Sequence, residues 1–340
     1  MATVVITGGS GFLGSRLARE LLAAGSIDVA GAGDRTISRL TLIDRAPAPA
    51  DLIADGRVTV IGADLAELLD PVPGGHTALA ALTAADVIFH LAAAVSGECE
   101  TDFDLGMHAN LRATESLLAA CRALGTSPVV VLASSLAVFG PAPEHPLPAV
   151  VDDHTLPCPQ SSYGTQKLIA EHLLADYTRK GFLRGRSVRL VTVAIRPGKP
   201  NAAASGFVSG IIREPLAGQR AACPVDPATE VALASPARAI EGLLCAATST
   251  DAAWGGRTGV NLPALTVTVA EMVAALERAA GPRASALIDW TPDPAVERLF
   301  ASWPARIRTN RAARLGLAPD PDIDSVIALH LAETAGSLGS

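Results

Sequence analysis

Three closely spaced glycines near the N-terminus constrain the fold more than any other feature of the sequence. Gly8, Gly11 and Gly14 follow the apolar run TVVIT (3–7) and open the helical pattern GSRLARELLAAG (14–25). In a strand–turn–helix unit the first glycine permits a tight turn, the second lets the backbone approach a pyrophosphate, and the third lets the helix pack against the strand. Glycine-rich turns also occur for structural reasons alone, but strand, turn and helix together predict a dinucleotide-binding unit.

Further along the chain, short β-branched runs alternate with helical patterns. The predicted elements are the strands 39–44, 57–64, 85–93, 128–135 and 188–198 and the helices 107–125 and 161–181. Continuous apolar strands separated by helices are typical of a parallel sheet that is covered on both faces. The predicted fold class is therefore α/β, a Rossmann doubly wound parallel sheet with helices on both faces and a smaller C-terminal substrate lobe. The stretch 26–38 is long for a helix-to-strand link and is predicted to be an exposed loop.

The pattern becomes irregular in the second half, with a short strand near 260–267 and a helix at 268–281. We predict a cofactor-binding domain over 1–198 that also carries the catalytic side chains. A smaller substrate-binding lobe, interleaved with the first, is predicted mainly over 199–330, and 331–340 is predicted to be a tail. Segments added at the ends of strands are a reasonable place for a substrate site in such folds.

Composition excludes several classes of function. The 340 residues carry a formal charge of -7 without charged runs, so no basic surface for nucleic acid or for an anionic membrane is expected. The first residues lack a signal-peptide pattern, and Gly, Pro or charge interrupts each apolar stretch before the roughly 18 residues that a membrane-spanning helix needs. The five cysteines are scattered without a CxxC pair, which argues against a disulfide framework or a metal site. We expect a reduced cytoplasmic protein.

Acidic side chains follow the second and third strands, where the adenosine half of a dinucleotide would lie. A carboxylate at Asp44 can accept hydrogen bonds from both ribose hydroxyls and would repel a 2′-phosphate, which favours NAD over NADP. Arg45 keeps NADP open as an alternative. Asp64 and Leu65 offer a carboxylate for the exocyclic amine of adenine and an apolar wall. The competing interpretation is an N-cap or loop role for Asp44 and a solvated loop position for Asp64.

Tyr163 and Lys167 are four residues apart in the predicted helix 161–181, so they share one face with their Cβ atoms roughly 5–6 Å apart. A phenol has a pKa of about 10 and is rarely a base at neutral pH. A nearby ammonium, together with the positive nicotinamide ring of an oxidised cofactor, favours the phenolate and lowers that pKa. The pair could then exchange a proton with a substrate hydroxyl. Alone, this spacing is common by chance.

The preceding strand strengthens the catalytic interpretation because it ends in Ser134 and Ser135. A serine hydroxyl at this edge of the sheet can orient a substrate and donate a hydrogen bond to a developing oxyanion. Local capping bonds after a strand are the alternative. His90 also ends a strand, but we interpret it as a packed residue and not as a base.

Several motifs now occur in the order of a known family. They are TGGSGFLG, HLAA at 90–93, Asn110, SSLAVFG, YGTQK and RPG at 196–198. Over roughly residues 1–200 the chain resembles the extended short-chain dehydrogenase/reductase superfamily, the group of the sugar-nucleotide epimerases. The chain departs from the family pattern at Phe139, which stands where a tyrosine is usual and is expected to be harmless.

This resemblance implies NAD as cofactor and no metal. It implies that Tyr163 is the acid/base, that Lys167 is its partner, that Ser135 is the serine of the site, and that Asn110 steadies the active-site helix. The cofactor-binding residues that it implies are Gly8, Gly11, Phe12, Leu13, Gly14, Asp44, Asp64, Leu65, Leu91, Ala92, Tyr163 and Lys167.

Further strings, among them RPGKPNAAASGF, GIIREPLAG and CPVDPATEVALASP, resemble a narrower subgroup that oxidises the 2-hydroxyl of a four-carbon sugar acid with NAD. This resemblance runs from residue 1 to beyond 315. The candidate substrate-binding residues are Ser96, Ser134, Lys199, Asn201 and Arg213. A guanidinium such as that of Arg213 can grip a carboxylate with two hydrogen bonds. Solvated charges at helix ends are the alternative.

Two other functions remain open at this point. A sugar-nucleotide epimerase or dehydratase would use the same Ser, Tyr and Lys with tightly held NAD, although few basic and aromatic residues follow residue 200. A non-catalytic NAD-sensing scaffold is the other, and it is disfavoured because this chain keeps both Tyr163 and Lys167. The expected partners are a small sugar acid and a second copy of the chain, since the helices 107–125 and 161–181 often form a dimer bundle in relatives.

Overall fold

A computed structural model of the protein describes residues 1–69, 82, 84–198 and 204–338. The chain forms two compact units, each built from separate stretches. The first contains Met1–Val138, Ser161–Arg189 and Ile240–Val260, and the second contains Phe139–Gln160, Leu190–Ala239 and Asn261–Ser340. The predicted division of labour between a cofactor domain and a substrate lobe stays a prediction.

The strands of the described chain are short, and most carry β-branched residues. In chain order they are β1 (Ala2–Thr7), β2 (Ser26–Asp28), β3 (Asp34–Asp44), β4 (Val58–Gly62), β5 (Val87–His90), β6 (Val129–Ser135), β7 (Arg184–Leu190), β8 (Thr192–Val193), β9 (Ala221–Cys223), β10 (Glu230–Ala234), β11 (Val260–Asn261), β12 (Leu265–Thr268) and β13 (Ile288–Trp290). The predicted strands over 3–7, 39–44, 57–64, 85–93 and 128–135 are present with boundaries that differ by a few residues. The predicted strands 188–198 and 260–267 each fall on two strands of different sheets, β7 and β8 in the first case and β11 and β12 in the second.

The helices of the described chain follow the same alternation. They are α1 (Phe12–Ala24), α2 (Ala50–Ile53), α3 (Leu65–Leu68), α4 (Ser96–Thr101), α5 (Phe103–Gly106), α6 (Ala113–Leu124), α7 (Ser162–Arg179), α8 (Gly206–Leu216), α9 (Pro236–Thr248), α10 (Asp251–Trp254), α11 (Val269–Ala280), α12 (Pro282–Ser285), α13 (Pro294–Ala301), α14 (Asn310–Arg314) and α15 (Ile323–Leu338). A π-helical turn, Met107–Arg112, leads directly into α6. Among these described segments, no helix is both long and apolar enough to cross a membrane.

The main sheet has the strand order β11-β7-β6-β5-β1-β3, with β2 and β4 both paired to β3. Strand β1 pairs in parallel with β3 on one side and with β5 on the other, and the pairs β3–β4 and β5–β6 are also parallel. The chain order therefore reverses direction at β1. Ligands of such open sheets bind beyond the carboxyl ends of the strands at this switch point. The predicted doubly wound Rossmann sheet is confirmed.

The prediction of an exposed loop over 26–38 is wrong. Ser26–Asp28 pairs antiparallel with the first residues of β3, and the register joins Ser26 to Thr36 and Asp28 to Asp34. The two strands form a hairpin because Ile27 and Ile37 are both buried, at 4% and 1% exposure. Polar residues and glycines concentrate in the turn and at the outer end of β3, and for this reason the sequence pattern predicts a loop.

Local sequence explains how the helix of the Tyr–Lys motif begins and ends. The side chain of Ser161 accepts a hydrogen bond from the backbone N–H of Gly164, which caps the first turn of α7. The helix ends at Arg179, and Gly181 follows with a positive φ of 75°. Leu174 and Ala170 pack in the apolar core of the first unit, so that α7 is held against the sheet.

The second unit is built on smaller sheets. Strands β12, β10 and β8 form one sheet and β13 and β9 form another. Helix α11 begins with a capping box in which Thr268 and Glu271 satisfy each other's backbone N–H groups. Its buried face, with Met272 and Leu276, contributes to the apolar core of this unit.

Candidate active site

The predicted glycine turn leaves no room for a side chain at Gly8 or at Gly14. A Cβ atom on Gly8, whose φ is +70°, would lie 2.7 Å from the backbone nitrogen of Ala92, and one on Gly14 would lie 2.1 Å from the carbonyl oxygen of Gly8. The first glycine therefore allows the turn to touch the end of β5, and the third allows α1 to pack against the turn. Gly11 caps α1 without a side-chain hydrogen bond, so the N-terminus of α1 stays accessible to an anion.

The turn borders a cleft of about 250 Å³ at the carboxyl ends of β1, β3 and β4. Its walls are the glycine turn, the acidic strand ends and the start of α6. The lining residues are Gly8, Gly11, Ile43, Asp44, Arg45, Ala63, Asp64, Leu65, Leu91, Ala92, Ala93, Ala109 and Ala113. Seven of the predicted cofactor residues are among them: Gly8, Gly11, Asp44, Asp64, Leu65, Leu91 and Ala92.

Asp44 has two local contacts besides its place in the cleft. Its carboxylate accepts a hydrogen bond from the backbone N–H of Ser10 at 3.0 Å and another from Ala46 at 3.0 Å. The first contact ties the glycine turn to the end of β3. Because a carboxylate has about four lone-pair positions, these two bonds leave acceptor capacity for the ribose hydroxyls of a nucleotide.

We expect Gly14→Ala to weaken NAD binding about tenfold or more. A Cβ at this position overlaps the carbonyl of Gly8, and overpacking of this kind typically costs about 1–3 kcal/mol. Isothermal titration with NAD measures the loss. Gly56→Ala is the matched control because a Cβ there meets nothing within 4 Å. Equal affinities of the two variants would contradict a tight glycine turn at the pyrophosphate.

A buried chain of hydrogen bonds supports the wall of the cleft behind Ala92. The backbone N–H of Ala92 donates to Thr7 Oγ1 at 3.3 Å, and Thr7 Oγ1 lies 2.7 Å from His90 Nδ1. His90 Nε2 lies 2.9 Å from Thr114 Oγ1, which itself donates to the carbonyl of Asn110. Since the hydroxyl of Thr114 is used as a donor, His90 donates through Nε2 and accepts at Nδ1.

His90 is therefore a packed residue, as predicted. Its side chain is 2% exposed, and burial, with a further contribution from Lys167, lowers the pKa of His90 to about 3. The imidazole is neutral at physiological pH and both of its nitrogens have partners. It can hold β5 to α6 through Thr114, but it has no free nitrogen to serve as a base.

Asn110 lies in the π-helical turn and is 3% exposed. Its Oδ1 accepts from the backbone N–H of Ala94 at 2.8 Å, and its Nδ2 donates to Gln166 Oε1 at 2.8 Å. The same amide lies 3.2 Å from the sulfur of Cys99. Asn110 thereby connects the segment after β5 to α7 at the residue next to Lys167.

Tyr163 and Lys167 lie on one face of α7, with Lys167 Nζ 5.7 Å from the centre of the Tyr163 ring. Lys167 is 4% exposed and donates to the carbonyl of Ala133 at 2.9 Å. Burial lowers the pKa of Lys167 to about 8, and the neighbouring Cys99 and Glu171 act in the opposite direction. The arrangement provides a half-buried phenol beside a fixed cation.

The two serines at the end of β6 have different surroundings. Ser135 is half-buried, and its Oγ accepts from the backbone N–H of Ala137 at 3.1 Å. Ser134 is 1% exposed and donates to Glu171 Oε1 at 2.5 Å. A substrate contact by Ser134 stays a prediction, and in the structure the proton of its hydroxyl is donated to the buried carboxylate of Glu171.

Glu171 is the centre of a buried ion pair that sequence reasoning missed. Arg189 donates to it through Nε at 2.9 Å and through a terminal nitrogen at 2.7 Å, and the two side chains are 7% and 4% exposed. A Cβ on Gly259 would lie 2.7 Å from Arg189 Nε. Glu171 is four residues after Lys167, so the helical spacing predicts that the two side chains share one face of α7. No sequence pattern predicts that Arg189 pairs with Glu171.

The remaining candidate substrate residues are distributed as follows. Ser96 is 6% exposed at the start of α4. In the second unit Arg213 donates to the carbonyl of Arg196 at 2.7 Å and pairs with Glu214. A substrate carboxylate would have to compete with Glu214 for this guanidinium. Lys199 and Asn201 lie outside the described residues.

The glycine turn, the acidic strand ends and the Tyr–Lys pair agree with the family that the sequence matches. Residues 4–232, more than half of the chain, match the model of the NAD dependent epimerase/dehydratase family. The chain belongs to this family, and NAD is its cofactor. The cleft fits this cofactor, because glycines whose Cβ atoms would collide with the backbone stand beside the N-terminus of α1, and carboxylates stand at the ends of the neighbouring strands.

Two relatives are more specific than the family. The chain is 47% identical over 333 residues to a D-erythronate dehydrogenase from Cupriavidus necator, with 98% of each chain covered. It is 40% identical over 326 residues to a D-erythronate dehydrogenase from Haemophilus influenzae, which covers 95% of this chain and 97% of that one. Among solved structures, a nucleoside-diphosphate-sugar epimerase from Agrobacterium tumefaciens matches with a TM-score of 0.86 and 40% identity, covering 98% of this chain and 95% of that chain.

Proposed function

We propose that this protein oxidises the 2-hydroxyl of the four-carbon sugar acid D-erythronate to a ketone, with NAD as the acceptor. The observation that carries the proposal is its 47% identity to a D-erythronate dehydrogenase along nearly the whole of both chains. The geometry of Tyr163 and Lys167 supports the chemistry, because a phenol beside a fixed cation suits proton removal from an alcohol.

The reaction removes two hydrogens from the carbinol centre. When bound, NAD accepts the carbon-bound hydrogen as a hydride. The phenolate of Tyr163 takes the proton of the 2-hydroxyl, and Lys167 favours that phenolate because its ammonium lies close to the ring. Ser135 donates a hydrogen bond to the substrate oxygen and so orients it. The products are a 2-keto acid and NADH.

Asn110 and Glu171 contribute indirectly. Asn110 holds Gln166, next to Lys167, and Glu171 holds the strand end that carries Ser135 through its neighbour Ser134. For the carboxylate and the distal hydroxyls of the substrate, the proposal includes Ser96, Lys199, Asn201 and Arg213. These residues offer hydroxyl, amide and cationic donors that suit a small polyhydroxy acid.

The appearance of NADH absorbance tests this function. We expect D-erythronate to be turned over with NAD and much more slowly with NADP, because a carboxylate at Asp44 repels a 2′-phosphate. The four-carbon acid with hydroxyls only at carbons three and four is the matched control, and it should give no signal. Trapping the product as a hydrazone identifies the 2-keto acid. Absence of NADH with every four-carbon sugar acid would exclude the proposal.

A sugar-nucleotide epimerase is the second candidate, favoured by the structure from Agrobacterium tumefaciens that is 40% identical to this chain and carries that name. Such an enzyme regenerates its NAD in each cycle, so dialysed protein would interconvert UDP-sugars without added cofactor. The same purified sample distinguishes the two candidates. Stoichiometric NADH with D-erythronate supports the dehydrogenase, whereas UDP-sugar conversion without net NADH supports the epimerase.

We further propose that the protein forms a homodimer in the cytoplasm. Exposed apolar side chains support the dimer, since Phe103 is 60% and Ile169 is 37% exposed in or beside the segments expected to pair. Light scattering on the purified chain measures the mass directly, and a monomer would exclude the dimer. The cytoplasmic location is supported by the five cysteines, all of them described and none of them in a disulfide, and fractionation of cells tests it.

A further inference from the structure

Only one of the two carboxylate oxygens of Asp64 has hydrogen-bond partners among the described residues. Its Oδ1 caps α3 by accepting from the backbone N–H of Ala66 at 2.9 Å, and it also lies 3.1 Å from His108 Nε2. Within the described residues, Oδ2 has no hydrogen-bond donor. Asp64 lines the cleft together with Leu65, and its side chain is 16% exposed. A carboxylate that lines a cleft, and of which one oxygen has no donor among the described residues, is ready to accept a hydrogen bond from a ligand.

The π-helical turn explains why His108 reaches this carboxylate. Residues two apart on a helical turn point to opposite sides, so His108 and Asn110 leave the turn in opposite directions. Asn110 faces α7 through Gln166, whereas His108 faces Asp64 across the start of α3. Ala109, which lies between them in the sequence, lines the cleft itself. Such turns are often found at functional sites.

We propose that His108 is a positioning residue for the adenine of NAD, because it holds Oδ1 of Asp64 and thereby directs Oδ2 at the exocyclic amine. A carboxylate can only accept, so the ring of His108 donates through Nε2. With Oδ1 occupied from two directions, rotation of the carboxylate group is restricted. The inference rests on the binding of NAD and not on the identity of the sugar acid.

The chemistry of the base gives this proposal a specific consequence. The amine of adenine is a hydrogen-bond donor, whereas hypoxanthine carries a carbonyl acceptor at the same position. A carboxylate oxygen held in place will attract the first and repel the second. The wild-type protein should therefore bind NAD more tightly than nicotinamide hypoxanthine dinucleotide, and this preference should depend on His108.

Calorimetric titration of both dinucleotides in the absence of substrate tests the proposal. We expect His108→Ala to raise the Kd of NAD roughly five- to tenfold, comparable to the net contribution of one ordinary hydrogen bond. The Kd of the hypoxanthine analogue should change little, so that the preference falls towards one. His108→Gln keeps an N–H donor and should restore part of the preference. His172→Ala, at an exposed position on α7, is the control.

Two results would overturn the proposal. One is an unchanged Kd for NAD in His108→Ala, and the other is an equal loss of affinity for both dinucleotides, which would indicate general support of the fold. If the alanine variant does not fold, as judged by its thermal transition, Asp64→Asn replaces it. Asparagine also caps helices well, but it lacks the negative charge that we propose discriminates between the two bases. If Asp64→Asn kept the preference for NAD over the hypoxanthine analogue, the proposal would also be contradicted. Because no sugar acid is present, failure here is distinct from failure of the turnover assay.

Discussion

The Tyr163→Phe variant is expected to lose roughly 100- to 10,000-fold in kcat, the usual range for a removed acid/base group. The substitution deletes only the hydroxyl, so the ring keeps its place beside Lys167. Binding of NAD should change far less than kcat, because the cleft at the glycine turn is untouched. Steady-state NADH formation from D-erythronate measures kcat, and titration with NAD measures the binding.

Tyr177→Phe is the matched control for this change. It alters the only other tyrosine of the chain, which lies on the same helix and packs edge-to-face on Phe182 with ring centres 5.7 Å apart. Its kcat should match that of the unmodified protein. A Tyr163→Phe variant with full activity would remove Tyr163 from the mechanism and would revive the interpretation as a non-catalytic NAD-binding protein.

Removal of Glu171 is expected to have the largest effect on stability. Glu171→Ala leaves the guanidinium of Arg189 buried at 7% exposure without its carboxylate, and breaking a buried pair in this way typically costs about 3–5 kcal/mol of unfolding free energy. Ser134 loses its acceptor at the same time. Urea unfolding followed by circular dichroism measures the difference.

Glu20→Ala, at an exposed position on α1, is the comparison, and it should change the unfolding free energy by about 0.5 kcal/mol or less. A Glu171→Gln variant keeps an acceptor for Ser134 and separates the hydrogen bond from the charge. If Glu171→Ala were as stable as the unmodified protein, the ion pair with Arg189 would not contribute to the fold as described.

Much of the fold could be predicted because its signals are local. The β-branched runs of β1, β5 and β6 and the helical pattern of α7 are each contained in a short window. The hairpin of β2 and β3 was missed because its signal is not local. Ile27 becomes part of a strand only when the residues after 33 return beside it.

In the candidate site too, the residues with local signals could be predicted from the sequence and the others could not. Gly8, Gly11 and Gly14 could be predicted from the sequence because the close backbone contacts of such a turn favour glycine at these positions. Tyr163 and Lys167 were recognisable because one helix sets their spacing. The different partners of Ser134 and Ser135 could not be predicted in this way, because neighbouring residues along a strand point to opposite faces of the sheet and their partners lie elsewhere in the chain.

Other parts of the site depend on residues that are far apart in the chain. His108 meets Asp64 across 44 positions, and His90 meets Thr7 across 83. Arg189 approaches Glu171 only where Gly259 leaves space for it. None of these pairs has a spacing that a helix or a strand would impose.

The sequence by itself determined the order of strands and helices, the glycine turn and the Tyr163–Lys167 pair, because periodicity and steric demand act over a few residues. The tertiary structure alone decided which hydroxyl, imidazole and carboxylate have partners and which remain available to a ligand. Hydrogen bonds act over about 3 Å, so their partners are settled only when distant segments pack against each other. For this protein, that step distinguishes Ser134, whose hydroxyl donates to Glu171, from Ser135, whose oxygen accepts from the backbone of Ala137.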